Sequence, residues 1–119
     1  MSSTSPPRRG EVWLVNFDPT VGDEIRKKRP AVVLNSDSIG RLSIKLVAPF
    51  TEWKYHFSRN LWHVRVEPDS TNGLSKVSAV DALQLRGVDQ QRFVRKLGEL
   101  SASTLEEIVL KVGAVIEYP

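Results

Sequence analysis

Glu11-Val12-Trp13-Leu14-Val15-Asn16-Phe17 and Ala31-Val32-Val33-Leu34-Asn35 decide the fold, together with the segment between them, Asp18-Pro19-Thr20-Val21-Gly22-Asp23-Glu24-Ile25-Arg26-Lys27-Lys28-Arg29-Pro30. In the first run Val12, Leu14 and Asn16 alternate with Trp13, Val15 and Phe17, which reads as a strand with apolar residues on both faces. The second run reads as a strand entered through Pro30, a position where a missing N–H is tolerated. A hairpin needs only a short turn, yet this connection runs to about a dozen residues, a length uncommon without a function or disorder. It sets Asp23 and Glu24 beside Arg26, Lys27, Lys28 and Arg29. Two readings stand. One is a solvated charged loop. The other is a loop that binds phosphate through its cations, Lys28 among them, with a carboxylate at hand for proton transfer.

Outward from this pair, Leu42–Phe50 reads as a third strand with Ile44, Leu46 and Ala48 on one face. Asn60–Val66 reads as a fourth, with Trp62, Val64 and Val66 on one side and His63 and Arg65 on the other. Ser75–Leu85 holds one or two short strands. The pattern then turns helical. Asp89 is placed to cap a short helix through Leu97, with Phe93 and Leu97 at i, i+4 and Gly98 as its stop. Ser101 or Ser103 caps a last helix, Ser103 and Glu106 fitting a capping box. Leu105, Ile108, Val109, Val112, Val115 and Ile116 form a core-facing stripe along it. Strands first and helices last predict an α+β fold, a curved antiparallel sheet or small SH3-like barrel with a C-terminal helix packed on it. Residues 1–9, rich in Ser and Pro, read as a disordered arm, and residues 10–119 as a single domain.

With 119 residues, 40% apolar and 26% charged, the composition is that of one globular domain. There is no cysteine, which excludes disulfides, thiolate metal sites and a thiol nucleophile, and suits a cytoplasmic setting. No apolar run approaches a membrane span, and Met1–Arg9 lacks the apolar core of a signal peptide. A formal charge of +3 and a pI near 9.4 favour a polyanionic partner. There is no P-loop, no GxGxxG after a strand and no HExxH. His56 and His63 have no partner at ligand spacing, so no metal site and no cofactor is expected. Thr51-Glu52-Trp53-Lys54-Tyr55-His56-Phe57-Ser58-Arg59 interleaves aromatic with basic residues, a composition that suits single-stranded RNA. Trp53, Lys54, Tyr55 and His56 are the candidate contacts. The alternative is that the aromatic rings fold back onto the core, and that His56 is simply exposed.

Further residues carry a resemblance. They are Gly10-Glu11-Val12-Trp13, Asp18-Pro19, Gly22 with Glu24, Arg29-Pro30-Ala31-Val32-Val33, and Pro49-Phe50-Thr51. They continue with Gly73-Leu74, Ser78, Gln84-Leu85-Arg86 with Asp89 and Arg92, and Leu97-Gly98. In this order and spacing, from about Arg9 to Val115, the chain resembles the MazF/PemK family of toxin endoribonucleases. The resemblance implies a homodimer that cleaves single-stranded RNA at short motifs without a metal, neutralised by a cognate antitoxin with an acidic disordered tail. It puts the catalytic arginine on Arg29, the catalytic threonine on Thr51, and an important glutamate on Glu24. RNA contacts fall on Ser78 and Gln84. Chemistry agrees with this division. Attack by the 2′-hydroxyl needs a proton removed, charge stabilised on the phosphorane and a leaving 5′-oxygen, giving a 2′,3′-cyclic phosphate and a 5′-hydroxyl. Arg29 offers a permanently charged fork and Thr51 a hydroxyl donor, while Glu24 is the favoured proton acceptor and His56 the runner-up.

Two other function classes remain open at this point. A CcdB-like toxin of the same fold would bind DNA gyrase without catalysis. Here, however, the chain closes Val115-Ile116-Glu117-Tyr118-Pro119, without that group's terminal Trp-Gly-Ile. A catalytically dead binding relative is opposed by the presence of Arg29, Thr51 and Glu24. The sequence also departs from the family pattern. Lys27-Lys28 adds charge before Arg29, Phe50 is bulky beside Thr51, and Trp53–Arg59 matches no shared pattern, so no cleavage motif carries over.

Overall fold

Alternate residues of the first three strands go to two different cores. In the computed structural model, which describes residues 5–119, β1 spans Glu11–Asn16, β2 Lys28–Val33 and β3 Ile44–Glu52. Val12, Val32, Leu34, Ala48 and Phe50 belong to one buried cluster, and Trp13, Val15, Phe17, Ala31, Val33 and Val47 to the other. This is the period-2 pattern of strands covered on both sides. β4 (His63–Val66), β5 (Ser78–Asp81), β6 (Arg86–Asp89) and β7 (Phe93–Glu99) follow, and α1 (Ala102–Val115) closes the order. The fold is α+β. Its single sheet of seven antiparallel strands runs β4-β5-β3-β2-β1-β7, with β6 beside β5 along the same edge of β3, and it does not close into a barrel.

Ser101, not Ser103, caps α1, its hydroxyl accepting from the backbone N–H of Thr104 at 3.2 Å. Ile108 is fully buried against the first cluster, with Leu105 and Val112 partly so. Each such burial is worth about 1.5–3 kcal/mol when complete. The expected stripe is narrower than its six residues suggest, because Val109 and Ile116 face solvent. β4 is also shorter than expected, although Val64 and Val66 do point inward and Arg65 outward.

The helix expected from Asp89 to Leu97 is absent. Asp89 caps only one 3-10 turn, Gln90–Arg92, and the chain then extends as β7. β7 pairs with β1 through Glu11↔Glu99, Trp13↔Lys96 and Val15↔Phe93, and register shifts leave Val94 and Leu97 unpaired. Tertiary pairing overrides the weak local helical preference here. On β3, Ile44 and Leu46 share a face with Ala48 as expected. They are nevertheless 51% and 38% exposed, whereas Ala48 and Phe50 further along the strand are buried in the cluster that holds Val64, Val66 and Ile108.

Residues 1–4 of the expected arm lie outside the described residues. Of the remainder, Pro7 is buried and the Arg9 backbone N–H donates to Asp37 Oδ1 at 2.9 Å.

A turn at Asp69–Leu74 is pressed onto β7. Asp69 Oδ1 accepts from the N–H groups of Thr71 and Asn72, both at 2.8 Å, which hold its carboxyl below the usual range. Buried Asn72 accepts from Leu74 N–H at 3.0 Å and donates to Glu67 O at 2.9 Å. The crossing is backbone on backbone. A Cβ on Gly98 would sit 2.2 Å from Thr71 O, and one on Gly73, which has φ +73°, would sit 2.1 Å from Leu97 O. Gly98→Ala should therefore lower unfolding free energy by about 3 kcal/mol or more. Urea denaturation of the purified protein measures this, and a loss under about 1 kcal/mol would contradict the crossing.

Candidate active site

The β2–β3 register sets the first pair of candidates. Val33↔Val47, Val32↔Ala48 and Ala31↔Pro49 are partners, and continuing the same count places Arg29 across from Thr51. Arg29 is also opposite Val15 on β1, and Thr51 opposite Ala79 on β5. Both are half-buried at the rim of the sheet. They line one cavity of about 330 Å³ together with Glu52, Lys76, Ser78 and Arg95. Arg29 Nε donates to Arg26 O at 3.2 Å, and among the described residues its terminal nitrogens have no partner. Ser78 is buried and donates to Lys76 O at 2.9 Å. Glu52 is shared between Lys76 at 3.8 Å and Lys54 at 4.0 Å. Three cations face one carboxylate, so the cavity attracts anions.

Arg95 and Lys76 were not anticipated from the sequence. Arg95 fell on the expected helix, whereas on β7 it lies opposite Leu14 and faces this cavity. Its neighbour Lys96 instead reaches Glu11 at 3.1 Å. Strand alternation in Phe93–Glu99 is the signal that would have found it.

Glu24, Asp23 and Gln84 lie apart from this pair. They line a second cavity of about 410 Å³, with Phe17, Ile25 and Arg86, and no lining residue is common to the two. The charged loop is folded on itself. Phe17 N–H donates to Lys27 O at 2.9 Å, Lys27 N–H to Asp18 Oδ1 at 3.1 Å, and Val21 N–H to Glu24 Oε1 at 2.8 Å. Gln84 clamps it from across the cavity, accepting from Ile25 N–H at 2.6 Å and donating to Asp23 O at 3.2 Å. Lys28 stands exposed opposite Asn16.

The aromatic segment splits between its two readings. Trp53 is half-buried, edge-on to Phe57 at 5.9 Å, with Arg65 5.8 Å above its ring. Phe57 stacks on His63 at 3.9 Å. Tyr55 is 85% exposed, and Lys54 and His56 are also exposed. His63 accepts at Nδ1 from Asn60 Nδ2 at 3.1 Å if neutral, with Nε2 3.6 Å from Asp81 Oδ2. Burial pushes the His63 pKa down, Asp81 pushes it up and His56 down, and the net result is below the ordinary 6.5. Among the described residues, no three His, Cys, Asp or Glu side chains are grouped to hold a metal ion.

A family model described as "PemK-like, MazF-like toxin of type II toxin-antitoxin system" matches residues 8–116. The chain belongs to this family. Over a 121-residue alignment it is 31% identical to "Endoribonuclease toxin ChpB" of Escherichia coli K12, covering 98% of this chain and 100% of that one. It is similar to MazF from Deinococcus radiodurans, with TM-score 0.79 and 28% identity over 96% of this chain and 99% of the other. A second structure from the same organism, of MazE–MazF, gives TM-score 0.74 and 27% identity over 98% and 100%. In this PemK/MazF-like chain, Gly73-Leu74 and Leu97-Gly98, two of the motifs that signalled the family, form the backbone crossing and line or flank the Arg29–Thr51 cavity.

Two expectations follow from this geometry. Gln84→Ala removes the loop clamp, and amide hydrogen exchange at Ile25 should quicken by about tenfold, the size of one lost hydrogen bond. His63, held neutral, contributes stability that is complete above about pH 6.5 and is lost as pH falls toward its depressed folded value. Glu11 acts lower. Burial raises its pKa, but bonds from Arg8 N–H, Trp13 and Lys96 outweigh that, so its contribution is lost only below about pH 4.5. Tm should therefore fall as pH is lowered below about 6.5, and His63→Gln should flatten that slope.

Proposed function

We propose that this protein is a toxin endoribonuclease that cuts single-stranded RNA at short sequence motifs. The observation that carries the reading is the meeting of Arg29 and Thr51, from adjacent strands, in one cation-lined cavity. The endoribonuclease name of the ChpB relative supports it. Arg29 holds two phosphate oxygens with nitrogens that have no competing partner among the described residues. The Thr51 hydroxyl donates to the same group. The 2′-oxygen loses its proton and attacks phosphorus, the bond to the 5′-oxygen breaks, and that oxygen takes a proton from solvent water, leaving a 2′,3′-cyclic phosphate and a 5′-hydroxyl. Arg95 and Lys76 stabilise the charge that develops on the leaving side. None of these steps requires a metal.

Glu24 is assigned the proton of the 2′-hydroxyl. It lines the neighbouring cavity, so the loop must carry it toward Arg29 when RNA binds. Around Glu24 itself the loop is held by the bonds between Glu24 and Val21 and by those of Gln84 to Ile25 and Asp23, while Lys27 and Arg92 fasten its base at Asp18. Tyr55, His56, Lys54 and Lys28 are exposed for bases and phosphates, with Asp23, Trp53, Ser78 and Gln84 shaping the path. We assign the molecule a homodimeric state and a cytoplasmic setting. Its cognate antitoxin would bring an acidic tail that competes with RNA for the same cations, and the MazE–MazF structure of a relative supports the existence of such a partner.

Cleavage of a long mixed-sequence RNA in excess chelator, with ends mapped, tests the whole reading. Discrete cuts are expected, falling about 10²–10³-fold in Arg29→Ala and about 10²-fold in Glu24→Gln. Thr51→Ala should lose rate similarly. Wild-type rates in Arg29→Ala and Thr51→Ala would remove the assigned site.

A further inference from the structure

At the opposite end of β3 from Thr51, about 20 Å along the strand, lies a third cavity of about 550 Å³. Arg8, Arg41 and Lys45 line it with Asp37, Ser43 and Gln90. Lys45 is its unusual member. On β3 it alternates with the exposed Ile44 and Leu46, so it faces inward in the row that continues as buried Val47, and it is only 7% exposed. It pairs across the sheet with buried Val88. Among the described residues Lys45 has no ion pair and no hydrogen-bonded side-chain partner. The same holds for Arg41.

The single carboxylate of the cavity is already engaged. Asp37 Oδ2 lies 3.6 Å from Arg8 Nη2, and Oδ1 accepts from Arg9 N–H at 2.9 Å. Gln90 pins the wall, its backbone N–H donating to Ser43 O at 2.8 Å and its Nε2 to Leu42 O at 3.0 Å. The Lys45 residue is buried but its side chain lines the open cavity, where an anion would meet donors that no carboxylate engages. A strand row that needs an apolar residue carries a lysine here, opening into a cavity with two further cations.

We propose that this cavity binds a phosphate group, at a site separate from the Arg29–Thr51 cavity. Lys45 supplies a point charge from the cavity wall, Arg41 and Arg8 flank the anion, and the Ser43 hydroxyl donates to it. The phosphate belongs either to an RNA strand that continues past the reacting bond or to a free phosphate compound, and the chemistry of the site is the same for both.

The test is an NMR titration of the full chain with inorganic phosphate, following the amides of Ser43, Lys45 and Gln90. Saturable shifts are expected in the wild type and in Arg29→Ala. Affinity should be at least about tenfold weaker in Lys45→Met, which keeps the carbon stem, and in Arg41→Gln, which changes only an exposed side chain. Two non-cleavable RNAs identify the source, one ending at the catalytic cavity and one reaching about 20 Å beyond it. If Lys45→Met weakens only the longer RNA, the phosphate is the strand's own. If neither RNA is affected while inorganic phosphate binding is lost, the ligand is a free phosphate. No saturable shift, or equal affinity in Lys45→Met and Arg41→Gln, overturns the proposal.

Discussion

A one-residue slip of β2 against β3 would turn Ala31 and Val33 out of one buried cluster and into the space of the other. Both faces of these strands are covered, so the slip would displace large and small residues in two cores at once. That double constraint holds the register, and the register in turn sets Arg29 across from Thr51. The Arg29–Thr51 pair thus inherits its geometry from Val32, Val33, Val47 and Ala48, all of them buried. β5 works in the same way on the other edge of β3, bringing Ser78 opposite Glu52. The site is a rim built on rigid strands, with the charged loop laid beside it.

That loop differs in kind from the strands. Its residues are almost all exposed, and it keeps its shape through hydrogen bonds to its own backbone and through Gln84. The permanent charges of Arg29, Arg95 and Lys76 are mounted on or next to the sheet, while Glu24 is carried by the part easiest to displace. A phosphate clamp gains from fixed donors, since preorganised charge needs no rearrangement during the reaction. Under the proposed function, a proton acceptor that arrives with the substrate would be compatible with such a clamp and would keep the carboxylate from neutralising Arg29 beforehand.

Strands β1 to β3 and the loop between β1 and β2 were legible because period-2 alternation and a long charged insert are local signals. β7 was not. Asp89 looks the same whether it caps one turn or a whole helix, and Phe93 and Leu97, four apart, fit both periods. Only the pairing with β1 decides, and that pairing is non-local. The separation of Glu24 from Arg29 was invisible for a similar reason. Five positions in sequence say nothing about which side of a folded loop a carboxylate takes, and Val21 and Gln84 settle it through bonds that no motif encodes. Lys45 was passed over because, between apolar Ile44 and Leu46, it reads as the outward residue, whereas the fold exposes those two and turns Lys45 inward.

One carboxylate joins the two loops that were read as separate recognition elements. Asp81 Oδ1 accepts from the N–H groups of Leu83 and Gln84 at 3.0 and 3.2 Å, shaping the turn from which Gln84 grips the charged loop. Its other oxygen faces His63, on which Phe57 of the aromatic segment is stacked. Asp81 therefore sits between the turn that holds the charged loop and the stack that backs the aromatic segment. Under the proposed function, a base bound by the aromatic segment and a phosphate bound by the charged loop would lie on either side of this one carboxylate, so that both surfaces would share one support.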